Sequence, residues 1–126
     1  ILLKCLKGLE GVNVTKIINE DKTINIDPEG ISLDSTTGGF WVVSEGKGTV
    51  DDEMRPFEMP NLLLELDESG SIVKSVLPDV SFQPQLRFGF EGAAKDGDRV
   101  AVALQRAWGE EANPRIAVYD VTEETR

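Results

Sequence analysis

Asp27-Pro28-Glu29-Gly30-Ile31-Ser32-Leu33-Asp34 returns further along the chain as Gly89-Phe90-Glu91-Gly92-Ala93-Ala94-Lys95-Asp96, with Glu91-Gly92 standing where Glu29-Gly30 stood. The segments downstream of each copy repeat as well. A Gly-containing turn leads into an apolar run, Phe40-Trp41-Val42-Val43-Ser44-Glu45 in the first copy and Val100-Ala101-Val102-Ala103-Leu104-Gln105 in the second. After a longer polar loop comes a further apolar run closed by Asp, Pro60 to Asp67 against Pro114 to Asp120. Self-similarity of this kind marks a supersecondary unit that buries its faces only against its neighbours.

The unit reads as one four-stranded β-propeller blade, with Ser71 to Leu77 as the outer strand of the first copy. The fold class expected is all-β, a partial β-propeller of about two four-stranded antiparallel blades from a larger ring. Blade one spans about 27–78 and blade two, incomplete, about 89–126. Short β-favouring runs bounded by Gly, Pro, Asp and Ser predict strands at Val12 to Ile18, Gly30 to Leu33, Phe40 to Glu45, Leu62 to Asp67, Ile72 to Leu77, Gly92 to Lys95, Arg99 to Gln105 and Arg115 to Val121. Asp34 to Gly39, Asp67 to Gly70 and Asp96 to Asp98 are turn sequences in which Gly supplies positive φ and Asp accepts from its own turn. The loops Gly46 to Met59 and Gln105 to Pro114 are long, and long loops on a rigid scaffold are where binding resides. An open pair of blades leaves two apolar faces bare, so the remaining blades are expected from a parent chain or an oligomer. The first residue, Ile1, and the end at Arg126 read as a piece of a longer polypeptide.

Among 126 residues, 40% are hydrophobic, which suits one core, and 13 basic against 23 acidic residues give a formal net charge of −10. That charge repels nucleic acid and anionic membranes, and the basic residues are scattered singly with few aromatic neighbours, so nucleic-acid binding is not expected. With no histidine, a Ser-His-Asp triad within this segment is excluded. The single cysteine, Cys5, forms neither an internal disulfide nor a zinc site and reads as a small buried residue. No apolar run reaches the length of a membrane span, and Ile1-Leu2-Leu3 is too short for a signal core. Ser44 to Thr49 contains Gly-Lys without P-loop spacing, Asp67 to Gly70 is a hairpin turn rather than an EF-hand, and Asn13-Val14-Thr15 is a glycosylation sequon that matters only in a secreted eukaryotic protein.

The Glu-Gly positions carry the candidate chemistry. A carboxylate at the start of an innermost strand points toward the channel of a propeller, while the following Gly lets crowded backbones approach. Glu29 and Glu91 would converge there. Two converging carboxylates suit calcium or shared-proton acid–base work; the structural alternative is that each accepts backbone N–H bonds from the adjacent blade and pins the two together. Glu45 and Gln105 end equivalent strands and suggest a second tier of the same mouth, or simply strand ends reaching solvent. Arg87 and Arg106 can hold a phosphate or carboxylate through a guanidinium fork, or pair with structural acids. Trp41 and Trp108 either line a ligand mouth or pack between blades.

Asp27-Pro28-Glu29-Gly30-Ile31, Phe40 to Gly46 and Arg87-Phe88-Gly89-Phe90-Glu91-Gly92-Ala93, taken in order, resemble the phytase-like family described as esterase-like activity of phytase. Ser69-Gly70 stands where that family commonly has Asp-Gly, and Phe88 where a polar residue is usual. The resemblance implies an exported β-propeller with a calcium-assisted phosphoesterase or related hydrolase activity on a small phosphorylated or ester substrate. On that implication Glu29 and Glu91 hold calcium and act catalytically with Arg87 and Arg106, while Glu45, Gln105 and Trp108 contact substrate. The competing class is a non-catalytic propeller, a platform for a protein partner or an accessory subunit.

Overall fold

The computed structural model describes residues 19–21, 23–49, 53–55, 58–76 and 87–122. Cys5 and the strand expected at Val12 to Ile18 lie outside them. Seven strands succeed one another: β1 (Asp27–Leu33), β2 (Phe40–Glu45), β3 (Leu62–Leu66), β4 (Ile72–Val76), β5 (Phe90–Asp96), β6 (Arg99–Leu104) and β7 (Ile116–Asp120). Among the described residues there is no helix, and hence none able to cross a membrane. The strands form two antiparallel meanders, β1-β2-β3-β4 and β5-β6-β7. The chain is thus all-β, with two consecutive blade-like sheets of a partial propeller.

Turn chemistry sets the short connections. Between β1 and β2 the Asp34 amide donates to the Gly39 carbonyl (2.9 Å) and the Gly38 amide to the Asp34 carbonyl (2.8 Å), with Gly38 at φ 76°. Between β3 and β4 the Asp67 carboxylate accepts from the Ser69 and Ser71 amides (2.9 and 3.0 Å), and Gly70 sits at φ 80°. Both glycines occupy backbone conformations that a side chain resists.

The core lies between the sheets. Val43 pairs with Leu63 in register, so the two share a face with Trp41, and this face meets Phe90, Val100, Val102 and Leu104 of the second sheet. Tyr119 adds an edge-on ring contact to Phe90, with centroids 6.3 Å apart at 64°. The opposite face of the first sheet carries Val42, Leu62 and Leu64, against which Ile24 and Ile26 pack. Trp41 is fully buried and its indole N–H donates to the Asp34 carboxylate (3.1 Å).

Polar contacts tie the sheets together as well. The Lys95 ammonium lies 3.5 Å from the Asp34 carboxylate, their side chains 7% and 1% exposed, and the Lys95 amide donates to the Ser32 hydroxyl (2.9 Å). At the other end of the interface the fully buried Asn61 accepts through Oδ1 from the Gly46 amide (2.9 Å) and the Phe90 amide (3.1 Å). One side-chain oxygen thereby joins the exit of β2 to the start of β5.

Candidate metal and anion site

The site grows out of a repeated irregularity. In β1 the register with β2 shifts between Pro28 and Gly30, and in β5 the register with β6 shifts between Phe90 and Gly92. Each shift inserts one residue, and that residue is the glutamate: Glu29 in one sheet, Glu91 in the other. A β-bulge bends its strand and re-aims the extra side chain away from the pleat. Gly30 makes the close approach of the sheets possible, since a Cβ on it would sit 2.7 Å from the Gly92 Cα, 2.9 Å from the Glu91 carbonyl oxygen and 3.0 Å from the Ala93 nitrogen. All three neighbours are backbone and cannot swing aside.

Asp27 pairs with Glu45 across β1 and β2, and with Glu29 they form a trio whose carboxylate oxygens lie within 4.8 Å of one another. A cation bound at calcium–oxygen distances of about 2.3–2.6 Å separates its ligand oxygens by no more than about 5 Å, so the trio fits a hard cation in size and donor type. Glu91 stands beside the trio. Burial, then the charges of Glu29, Glu45 and Asp27, push its carboxyl above the ordinary glutamate range. Four carboxylates therefore share one electrostatic neighbourhood, and a cation would relieve their repulsion.

A cleft of about 670 Å³ opens alongside, lined by Asp27 and Glu45, by Ile26, and by the extended β2–β3 loop through Lys47, Met54, Arg55, Glu58 and Met59. The loop continues the strands as a ribbon, its Lys47 amide donating to the Met59 carbonyl (2.7 Å) and its Thr49 amide to the Arg55 carbonyl (2.8 Å). Arg87, in the turn that precedes β5, lines the same cleft. Its guanidinium carbon lies 4.8 Å from the centroid of the Phe88 ring, and that of Arg106 lies 3.9 Å from the same centroid. Phe88 holds φ 61°, the left-handed region, which costs a non-glycine residue about 1–3 kcal/mol.

The residues singled out in the sequence therefore separate. Glu29 and Glu45 come together in the trio, with Glu91 near enough to feel their charge. Arg87 joins the cleft, and Arg106 reaches the same aromatic ring from the end of β6. Gln105 is exposed, and its amide donates to the Gly89 carbonyl (2.9 Å), bracing the start of β5. Trp108 does not line a mouth: it is 5% exposed and packs in the core between the sheets, its indole nitrogen buried with no hydrogen-bond partner among the described residues. Glu45 also serves the pinning role considered for Glu29 and Glu91, accepting from the Gly89 amide through Oε1 (3.2 Å).

Two contributors escape a reading of the sequence. Asp27 stands there only as the leading residue of its motif, although its alternation with Glu29 is visible. Asn61, the joint between the sheets, carries no local signal beyond a polar residue before an apolar run.

Comparison with known proteins agrees with this architecture. No curated protein and no solved structure matches the chain. The family model described as Phytase-like, esterase-like activity of phytase, matches residues 4–126, nearly the whole sequence, and the chain belongs to that family.

Proposed function

We propose that this phytase-like chain carries a calcium-dependent ester-hydrolysing site, with phosphoric esters the first class to test. The observation that carries the reading is the carboxylate trio Asp27, Glu29 and Glu45 at the edge of a cleft that also presents the Arg87 guanidinium. Asp27, Glu29 and Glu45 would hold the ion. Once bound, calcium supplies positive charge that polarises an ester oxygen and lowers the pKa of a coordinated water. The other contributions belong to the chain. Arg87 binds an anionic oxygen of the substrate, the Phe88 ring holds that guanidinium in place, and Arg106 adds positive charge at the same ring. The bulges fix the carboxylates on strands rather than loops, which keeps their geometry rigid. Export of the protein, implied by the family, belongs to the same proposal.

Isothermal titration of the chain with calcium, followed by hydrolysis assays on a phosphomonoester and a carboxylic ester, tests the reading. Micromolar to millimolar calcium binding, weakened at least tenfold in Asp27→Asn/Glu29→Gln, is the expected result. Calcium binding unaffected by that double substitution would refute the site. Neither binding nor hydrolysis would favour the non-catalytic platform, for which Glu45's bond to the adjacent sheet already speaks.

A further inference from the structure

The cleft beside the carboxylate trio has a charge balance and a lining that restrict what it can hold. Its described walls set three cationic side chains, Lys47, Arg55 and Arg87, against three acidic ones, Asp27, Glu45 and Glu58. Lys47 is already spent, its ammonium 2.9 Å from the Glu58 carboxylate, and Arg55 is not free either. Arg87, by contrast, pairs with no carboxylate among the described residues and lies against Phe88. Just outside the walls stand Glu29 and Glu91. The two charges of one bound calcium ion would be matched by these two carboxylates, which leaves no surplus of positive charge for a ligand. A polyanion would meet several carboxylates for each guanidinium it could reach, and like charges at such distances repel strongly where water is partly excluded.

The remaining lining is apolar. Ile26, Met54 and Met59 supply hydrocarbon and thioether surface, and methionine adapts to ligands of varied shape. The volume of about 670 Å³ falls within the range of small-molecule pockets, roughly 300–1,000 Å³. One guanidinium for orientation, beside apolar surface for affinity, is the composition such pockets use.

We infer that the cleft takes an ester bearing a single anionic group on a largely apolar body, and that it discriminates against polyphosphorylated compounds. The inference rests on the proposed hydrolytic site but concerns the cleft, and the two can fail separately. The single phosphate or carboxylate would lie against Arg87, and the apolar body against Ile26, Met54 and Met59.

The test is competitive binding on the full chain, with free calcium held constant by a chelator buffer. The probes are 1-naphthyl phosphate, inorganic phosphate and inositol hexakisphosphate. Naphthyl phosphate is expected to bind at least tenfold more tightly than either of the others. Arg87→Ala should weaken naphthyl phosphate and inorganic phosphate alike. Met59→Ser should weaken naphthyl phosphate severalfold and leave inorganic phosphate unchanged. Met54→Ser, at a side chain that is 89% exposed and so safe to replace, gives the same readout should Met59→Ser impair folding. Equal or tighter binding of inositol hexakisphosphate overturns the inference, as does a naphthyl affinity indifferent to both methionines. A calcium titration of the same samples separates the two ideas. Naphthyl preference without calcium binding sinks the metal site and spares the cleft, whereas calcium binding with preference for the polyanion does the reverse.

Discussion

Asp34 shows how much a single buried charge can organise. Burial by itself would raise its carboxyl, but the Trp41 indole, the Thr36 amide and the Lys95 ammonium hold it below the ordinary aspartate range. A depressed folded pKa means that the stabilisation is present above the unfolded value and disappears as pH falls through the folded one. Denaturant midpoints measured from about pH 7 down to about pH 2 should therefore drop in the acid range, and Asp34→Asn should flatten that drop. At neutral pH the same substitution leaves Lys95 without its partner across the interface and should cost about 3 kcal/mol. A loss below about 0.5 kcal/mol, the size seen at ordinary surface sites, would show the pair to be incidental. Phe88 poses a different question, because its left-handed backbone is unfavourable and its ring gathers two guanidiniums. Phe88→Gly should relieve the backbone while weakening phosphate binding about fivefold, under 1 kcal/mol at roughly 1.4 kcal/mol per tenfold. Unchanged phosphate affinity in a folded Phe88→Gly protein would remove the ring from the site.

At the scale of strands and turns, the two Glu-Gly motifs share a bulge but not a burden. Gly30 faces backbone within 3.0 Å, whereas a Cβ on Gly92 would meet only the Ala103 Cβ at 3.8 Å, an ordinary contact. Gly30→Ala should thus force the sheets apart and cost about 1–3 kcal/mol or more, while Gly92→Ala should change little. Chemical denaturation of the pair decides it, and equal losses would contradict the geometry. Asn61 acts on the same interface. Asn61→Ala leaves the Gly46 and Phe90 amides unpaired in a buried place, at about 1–3 kcal/mol each. Much at this scale is legible in the sequence. The apolar run Phe40 to Glu45 coincides with β2, because six residues between a Gly-Gly turn and a Gly form an unambiguous buried strand. The run Gly30 to Leu33 proves to be only the latter part of β1, which begins at Asp27. Pro28 and a bulged Glu29 break the alternation by which a strand is recognised, so the start of the strand is hidden by the same feature that builds the site.

For the whole molecule the repeat has a consequence in packing. Gly30, Val43 and Leu63 lie side by side on the face that the first sheet buries, and the equivalent residues of the second sheet are Gly92, Ala103 and Ile116. One repeat on, that face is bare: Ile116 and Val118 are exposed, as are Ile31 and Leu33 on the far side of the first sheet. Among the described residues the larger buried cluster therefore lies between the two sheets, with a smaller one around Val42, Leu62 and Leu64 on the far face of the first. Leu63→Ala, at a fully buried side chain, should cost about 2–5 kcal/mol, whereas Val118→Ser should cost under about 0.5 kcal/mol. Urea titrations of the two variants provide the comparison, and a large loss for Val118→Ser would mean that this face is covered in solution.

The repeat, the all-β class, the order of strands and the paired Glu-Gly positions were determined by the sequence alone, because apolar alternation and turn residues are local and need no partner to be read. The chemical grouping was decided only in three dimensions. Cross-strand pairing of Asp27 with Glu45 and the bulge at Glu29 made a trio from residues as far apart as Asp27 and Glu45, and a sheet-to-sheet approach brought the bulged Glu91 beside it. Packing also assigned Trp108 to the core and gave the pinning bond to Glu45, since which side chain meets a neighbouring backbone depends on distances that no linear pattern encodes.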